Sequence, residues 1–395
     1  MDVTIGQPND ADRCLVLGSE LQAAVAIYFQ AGTEIELCPL KDTKELNWPL
    51  LLMLTDPIPQ HHHRQLRIQY DDDQHGTEAD EMSMRSPQHE LSMGSKDRGF
   101  HQDPKATYML PNDSPEHARL ERQARLLSAI MDHKVIHSPL SPERVERVLD
   151  IGCGTGVVTK LLAEQFPKAQ AFGVDLSEVP EVRQFPSNVH FLQGNILTQI
   201  PAEWKPVRGG KTLPGDDGLF DLCFSRLFIN QLPDPAGLVK QEFRLLKPGG
   251  YIEMHELSGP MVDQNADPIS DLGWWLEWTA AFEATTGATF RNTGKAAAAW
   301  MEAAGFVDIE VKEYMWPVGL HGASHAVRDQ FGDVPAGSFE QDILDVYSTF
   351  VHRLHDQEVL DQESANRILE GLRKCVLSEK KHYHRFLVTV GRRPE

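Results

Sequence analysis

Basic residues and cysteines are both scarce in this chain of 395 residues, and long apolar runs are missing from it. Lys and Arg number 38 against 58 Asp and Glu, which gives a formal net charge of −20. An acidic surface repels phosphate backbones and anionic lipid, so nucleic acids and membranes are disfavoured as partners. Five cysteines without a framework spacing indicate a reducing compartment. No stretch has the length of a membrane span, and no basic segment precedes an apolar core at the N-terminus, so we expect a cytoplasmic protein.

The first hundred residues differ in composition from the rest of the chain. Residues 1–58 are mildly apolar, and one face of a short helix is predicted from Leu21, Ala24, Val25, Ile27 and Tyr28. Residues 59–105 are rich in Ser, Met, Gln and Gly and poor in large apolar side chains, which predicts a disordered linker. Three adjacent histidines at residues 61–63 would point in different directions on such a chain, so no metal site is expected there.

From residue 106 to residue 395 the pattern predicts one domain in which strands and helices alternate. After a first strand that ends near residue 151, further strands are predicted at residues 169–176, 189–194, 219–229 (in part), 251–256, 306–314 and 383–390. Alternation of this kind indicates an α/β fold with a doubly wound, mostly parallel, seven-stranded sheet and right-handed crossovers.

The most informative segment is residues 148–156, with the sequence VLDIGCGTG. An apolar strand ends in an acid, and Gly152, Gly154 and Gly156 follow on alternate positions before an apolar-periodic helix. Residues without Cβ let the backbone pass close to a ligand, and the N–H groups that open the helix point into that space. The spacing is G-x-G-x-G, which differs from the G-x-G-x-x-G of dinucleotide-binding folds.

This motif and its surroundings resemble class I S-adenosylmethionine-dependent methyltransferases, and more narrowly the fungal methyltransferases of secondary metabolism. The narrower resemblance lies in residues 108–113 (YMLPND) with Glu116, Arg119 and Leu120, and in residues 174–177 (VDLS), 186–189 (PSNV), 225–226 (SR) and 246–253 (LKPGGYIE). It covers about residues 105–315. It implies a Rossmann-like methyltransferase fold, S-adenosyl-L-methionine as cofactor and a small-molecule substrate.

Five residues at the ends of the first three strands are candidates for cofactor binding. The resemblance implies that Asp150 holds the amino group of the methionine moiety, with turn capping as the alternative. Asp175 ends the second strand, where a carboxylate can accept hydrogen bonds from both ribose hydroxyls, and Leu176 follows it. Asn195 stands where relatives usually have Asp against the adenine amino group, and Ile196 would pack on the ring. A turn role for Asn195 stays open.

The ends of the fourth and fifth strands supply further candidates. Ser225 and Arg226 should border the cofactor, because ligands in open α/β sheets lie beyond the carboxyl ends of the strands. Arg226 suits the methionine carboxylate, an acidic substrate, or a surface ion pair. By the resemblance Tyr108 closes over the cofactor, with anchoring of a helix as the alternative. His255 is a candidate general base for a hydroxyl or amine acceptor, and a buried structural histidine is the competing interpretation.

Residues 260–300 interrupt the alternation with a segment rich in tryptophan. Trp274, Trp275 and Trp278 have helical spacing, which predicts a helical insertion. In related methyltransferases an insertion at this position forms a substrate lid, and a flat aromatic acceptor would suit such a wall. Core packing explains the same spacing equally well.

The sequence therefore predicts an enzyme that moves a methyl group from S-adenosylmethionine to O or N of a small, aromatic natural product. Two alternatives stay open. One is a methyltransferase-like regulator of secondary metabolism that works in a nuclear protein complex, and the other is a methyltransferase fold that catalyses a rearrangement or cyclisation. No metal is expected, and the sequence indicates no particular protein partner.

Overall fold

A computed structural model of the protein describes four N-terminal strands and residues 98–101, 108–269, 272–288, 290–318, 338–378 and 380–395. The chain divides into two compact units, Met1–Arg85 and Ser86–Glu395. Within these described ranges, no helix combines the length and the apolar character that crossing a membrane requires.

The strands of the first unit form an antiparallel meander. They pair in chain order as β1 (Thr4–Ile5), β2 (Arg13–Val16), β3 (Val25–Phe29) and β4 (Ile35–Pro39). A strand thus occupies Val25–Phe29, where the spacing predicted part of a helix. Its sequence VAIYF is rich in β-branched and aromatic residues, which favour strands.

The linker predicted at residues 59–105 lies outside the described residues except at 98–101. Those four residues belong to the second unit. Arg98 Nη2 donates to Asp113 Oδ1 at 2.9 Å, and the guanidinium of Arg353 lies 4.0 Å from the ring centroid of Phe100. An ion pair and a cation–π contact therefore hold this end of the segment against the folded unit.

The second unit alternates helices and strands along the chain. In order, its elements are α1 (Ser114–Ile130), β5 (Arg147–Ile151), α2 (Val157–Gln165), β6 (Gln170–Asp175), β7 (Val189–Gln193), β8 (Lys205–Pro206), β9 (Phe220–Arg226), α3 (Pro235–Leu245), β10 (Leu246–Val262), α4 (Gly273–Thr286), α5 (Thr293–Ala304), β11 (Val307–Pro317), α6 (Ser338–Asp356), α7 (Gln362–Val376) and β12 (Tyr383–Arg392).

These strands form one sheet in the order β11-β12-β10-β9-β5-β6-β7-β8. The five strands from β10 to β7 are parallel to their neighbours, and β12 runs antiparallel between β10 and β11. The prediction of a doubly wound, mostly parallel α/β sheet is confirmed, and the two-residue β8 is the eighth strand. Because β5 lies between β6 and β9, the strand order reverses there, which opens a crevice at the carboxyl ends.

Local sequence explains the elements that border this crevice. Val148, Leu149 and Ile151 of β5 are fully buried, as expected for a central strand covered on both faces. Helix α1 begins after Asp113, whose side chain accepts the N–H of Glu116 at 3.0 Å. This is an N-cap bond, which fixes the direction in which α1 leaves the preceding loop.

Four helices cover the crevice, three of them from the C-terminal half of the chain. Helix α7 packs against α4 and α6, and α1 packs against α6. A single apolar cluster joins these four helices to β10, β11 and β12. The helical layer therefore encloses the carboxyl ends of the strands instead of leaving them open.

Candidate active site

The glycine turn after β5 lies in left-handed backbone and borders a cavity. Gly152 has a φ of 68° and Gly154 a φ of 54°. A Cβ on Gly152 would lie 2.4 Å from the Phe228 ring, whereas one on Gly154 would meet only Leu120, at 3.4 Å. Both glycines line the cavity. The turn is thus packed tightly at Gly152 and leaves space at Gly154.

Asp175, the last residue of β6, ties the turn to the neighbouring strand. Its Oδ2 accepts the N–H of Gly154 at 2.9 Å and its Oδ1 accepts the N–H of Ser177 at 3.1 Å. Burial raises the pKa of this carboxyl, and the residue lines the cavity. A carboxylate has about four lone-pair sites, and those that the backbone N–H groups leave open are available to hydroxyl donors in the cavity.

The structure brings most of the predicted cofactor residues to the same cavity. They come from the ends of four strands and from the segment before α1, and are Gly152, Gly154, Asp175, Leu176, Asn195, Ile196, Arg226 and Tyr108. The Asn195 Oδ1 accepts the N–H of Leu197 at 3.0 Å. Asn195 therefore both stabilises a turn and borders the cavity.

Arg226 contributes a positive charge to the cavity wall. Burial lowers the pKa of its guanidinium to about 10, while the nearby carboxylates of Asp150 and Glu121 raise it. Within the described part of the chain its side chain makes neither a hydrogen bond nor an ion pair. A half-buried cation that lines a cavity without such a partner is suited to an anionic ligand group.

Asp150, Ser225 and Gly156 do not reach the cavity. Asp150 is 2% exposed, and its Oδ2 accepts the Thr159 hydroxyl at 2.6 Å. Burial raises the pKa of Asp150 to about 7. Ser225 is fully buried within the sheet, and a Cβ on Gly156 would lie 2.6 Å from Phe191. These residues support the turn and the sheet from beneath, and their contact with the cofactor stays a prediction.

His255 is likewise buried away from the cavity. Its strand segment pairs with Arg226 on one side and Val388 on the other. Its Nε2 lies 2.7 Å from Glu253 Oε1, and its ring packs 4.7 Å from that of Phe224. Burial lowers the pKa of His255, which keeps the imidazole neutral. The burial of His255 fits the interpretation as a structural histidine, and its role as a general base stays a prediction.

The three tryptophans of α4 form a layer behind the cavity wall. Trp274, Trp275 and Trp278 are 6%, 1% and 0% exposed. The Trp278 ring lies 4.7 Å from Tyr347 and 4.9 Å from Phe290, and both of these residues line the cavity. The core interpretation of the tryptophan spacing fits this burial, and the lid role stays a prediction. The helix is apolar on most sides because it is covered on most sides.

The wall opposite the sheet comes from a helix to which the sequence pattern gave no role. Residues 342, 343, 346, 347 and 350 of α6 all line the cavity. Their spacing follows one face of a helix, and this periodicity is the sequence feature that could have identified them as a buried face. Trp316 at the end of β11 and Leu257 of β10 complete an apolar wall.

Comparison with known proteins gives the family. Residues 119–311 match a family model described as a methyltransferase domain. The secondary metabolism regulator laeA of Coprinopsis cinerea is 32% identical over 47% of this chain and 46% of its own length. The methyltransferase grgD of a Penicillium species is 32% identical over 38% and 52% of the two chains. The trans-aconitate 2-methyltransferase of Deinococcus radiodurans is 30% identical over 48% and 69%.

The fold and the glycine turn define a nucleoside-binding α/β protein of the methyltransferase type. The chain belongs to the class I S-adenosylmethionine-dependent methyltransferases. The resemblance predicted from the sequence is thereby confirmed, and S-adenosyl-L-methionine is the cofactor of this family. The chain spans about half the length of the first two relatives, 46% and 52%.

Proposed function

We propose that this protein transfers a methyl group from S-adenosylmethionine to O or N of a small, largely apolar natural product. The observation that carries the proposal is the position of Asp175. Its carboxylate is bonded to the N–H of Gly154 and lines the cavity at the strand-order switch. A nucleoside ribose at this point can donate both hydroxyls to the remaining lone pairs.

The other cavity residues fit the remaining parts of the cofactor. Arg226 supplies the cation that the methionine carboxylate needs, and the space left at Gly154 admits the chain between ribose and carboxylate. Leu176 and Ile196 offer apolar contacts for a flat base, with the polar Asn195 beside them. This combination of charged, polar and apolar side chains thus suits a nucleoside that carries an amino-acid group.

The chemistry requires alignment more than proton transfer by the protein. When bound, S-adenosylmethionine supplies an electrophilic methyl group on a sulfonium. The chain provides an apolar wall that includes Leu257, Phe290 and Trp316, which orients an acceptor and excludes water. Aromatic side chains favour a ring-containing acceptor through stacked and edge contacts.

Calorimetry with S-adenosylhomocysteine tests the cofactor assignment. Asp175→Asn should raise the dissociation constant about 10- to 100-fold, because hydrogen bonds to a charged acceptor are lost. Asp217→Asn changes an exposed acid that does not line the cavity and should leave affinity unchanged. Equal affinity in wild type and Asp175→Asn would contradict the assignment. Incubation with labelled S-adenosylmethionine and a metabolite extract then tests for methylated product.

A regulatory role is the second candidate, because a secondary metabolism regulator is among the relatives at 32% identity. Such a protein would keep the cofactor site and act in a complex with other proteins. Cofactor binding without labelled product, together with stable association with partner proteins, would favour it. Labelled small-molecule product would favour the enzyme.

A further inference from the structure

Beyond the cofactor residues, the cavity contains a compartment with mainly apolar walls. One wall is the face of α6 that carries Ile343, Val346, Tyr347 and Phe350, and the other walls include Leu257, Phe290 and Trp316. Polar groups in such a compartment are expensive to desolvate unless each has a partner. Any polar atom that is left open there is therefore informative about the ligand.

A buried ionic network enters this compartment from α1 and α6. Arg119 donates twice to Glu116 Oε1, from Nη2 at 2.7 Å and from Nε at 3.1 Å. Its Nη1 reaches Asp342 Oδ1 at a longer 3.3 Å. Asp342 is fully buried, and its Oδ2 accepts Gln123 Nε2 at 3.1 Å. Each charge in the network is paired with an opposite charge. The network therefore holds Asp342 in place, and Asp342 in turn orients the side-chain amide of Gln123.

The network fixes the direction of the Gln123 amide. An ionised carboxylate is an acceptor only, so Asp342 must face the amide nitrogen of Gln123 and not its oxygen. The Gln123 Oε1 then points away from Asp342, and among the described residues it has no hydrogen-bond partner. Gln123 is 9% exposed and lines the cavity.

We propose that Gln123 Oε1 accepts a hydrogen bond from a hydroxyl or N–H group of the methyl acceptor, an apolar ring compound, and so determines acceptor specificity. The inference rests on the proposed function, since it concerns the acceptor of that methyl transfer. Asp342 is a positioning residue that holds the amide oxygen toward the ligand. Compounds that lack a donor leave this oxygen buried and unpaired, which disfavours them.

Two naphthalene probes distinguish a hydrogen bond to Gln123 from apolar contacts alone. In the presence of saturating S-adenosylhomocysteine, calorimetry should show that 1-naphthol binds about five- to tenfold more tightly than 1-methoxynaphthalene. Gln123→Met keeps the side-chain length and removes the acceptor, so it should bind both probes equally. Its affinity for S-adenosylhomocysteine should match that of wild type.

A second pair of variants tests the role of Asp342 in orientation. Asp342→Asn can donate to Gln123 Oε1, which permits the amide to turn its nitrogen toward the cavity, so the preference for 1-naphthol should fall. Asp345→Asn is the control, because Asp345 lies on the same helix, pairs with Arg122 at 2.5 Å and does not line the cavity. It should keep the full preference.

Three results would overturn the inference: equal binding of the two probes by wild type, a preference that persists in Gln123→Met, or no binding of either probe to the loaded protein. Failure of wild type to bind S-adenosylhomocysteine would instead refute the proposed function. The two failures are therefore distinguishable in one set of titrations.

Discussion

Among single residues, Gly154 is a glycine for two possible reasons: its backbone is left-handed, and a ligand needs the space beside it. Its φ is 54°, and its N–H donates to Asp175 at 2.9 Å. Gly209 has a similar φ of 71°, and a Cβ there would have no neighbour within 4 Å. A substitution at either glycine incurs the same backbone strain, but only one of them borders the cavity.

We therefore expect Gly154→Ala and Gly209→Ala to lower the free energy of unfolding by similar amounts, roughly 1–2 kcal/mol. Only Gly154→Ala should also weaken S-adenosylhomocysteine binding, by at least about tenfold, because its methyl group occupies ligand space. Denaturant unfolding and calorimetry on both variants check this. Equal affinities in the two variants would show that the ligand does not pass the turn.

Residue identity was predictable where a motif fixes the position of the backbone. The glycines and Asp175 follow from one strand–turn–helix unit and its neighbour, and the structure places Gly152, Gly154 and Asp175 at the cavity. The structure buries Asp150 and His255, neither of which lines the cavity, and their predicted roles stay predictions. A strand sequence shows that a side chain lies near the carboxyl end, but not whether another strand or helix already covers it.

At the scale of elements, Glu256 of β10 fixes the loop that follows β9. Its Oε1 accepts the N–H groups of Phe228 and Ile229, both at 2.9 Å. This loop also contains Leu227 with a φ of 50°, and Leu227 and Phe228 line the cavity. Burial raises the pKa of Glu256 to about 8, so the folded protein keeps a proton on this carboxyl at neutral pH.

The raised pKa of Glu256 makes the stability of the fold depend on pH. Between the ordinary value of 4.5 and about 8, the folded state binds a proton that the unfolded state releases. The contribution of Glu256 to stability is therefore fully present below pH 4.5 and is lost as the pH rises toward 8, by about 1.4 kcal/mol for each pH unit in this range. Glu256→Gln should flatten this decline.

Melting temperatures at pH 5 and pH 8 test the prediction. Asp150, whose pKa burial raises to about 7, contributes a decline of the same sign in both proteins, so the difference between their pH slopes reports on Glu256. Parallel slopes for wild type and variant would refute the assignment of a neutral Glu256.

The parallel strands were predictable from the sequence, because short apolar segments bounded by turn residues are typical of buried strands. Boundaries were less so: β10 extends over Leu246–Val262, far beyond the predicted residues 251–256. Leu246 and Tyr251 pair with Phe220 and Leu222 of β9 across a register shift, and between them Gly249 and Gly250 exchange backbone hydrogen bonds with Arg393, just past β12. The local sequence gives no information on the neighbouring strands whose hydrogen bonds lengthen a strand.

For the whole molecule, stability depends on the aromatic layer between the sheet and the C-terminal helices. Trp278 is fully buried and contacts the rings of Phe282, Tyr347 and Phe350. Its replacement removes ring contacts within α4 and between α4 and α6. The same layer supports the cavity wall from behind, so packing and ligand binding share these residues.

Trp278→Ala should lower the free energy of unfolding by about 3–5 kcal/mol through the cavity it leaves. Leu276→Ala on the same helix changes a side chain that is 39% exposed and should lower it by less than about 1 kcal/mol. Urea denaturation of both variants provides the comparison. A small effect at Trp278 would revive the interpretation of this helix as a mobile lid.

The cavity as a whole could not be predicted, because its walls come from distant parts of the chain. Tyr108 and Phe350 line the same cavity although most of the domain separates them in sequence. The cofactor end follows from a motif of nine residues, whereas the acceptor end depends on how α6 folds back over the sheet. Periodicity shows that α6 has a buried face, but not what that face meets.

The contacts of Arg98 and His101 set a limit on how far the protein can be shortened. Arg98 is paired with the N-cap residue of α1, and His101 Nε2 lies 3.0 Å from the Tyr108 carbonyl oxygen while its side chain lines the cavity. Trimming to residue 106, just ahead of α1, would delete both. Expression fragments meant to retain ligand affinity should therefore start no later than Arg98, and a start at Ser86 keeps the whole second unit.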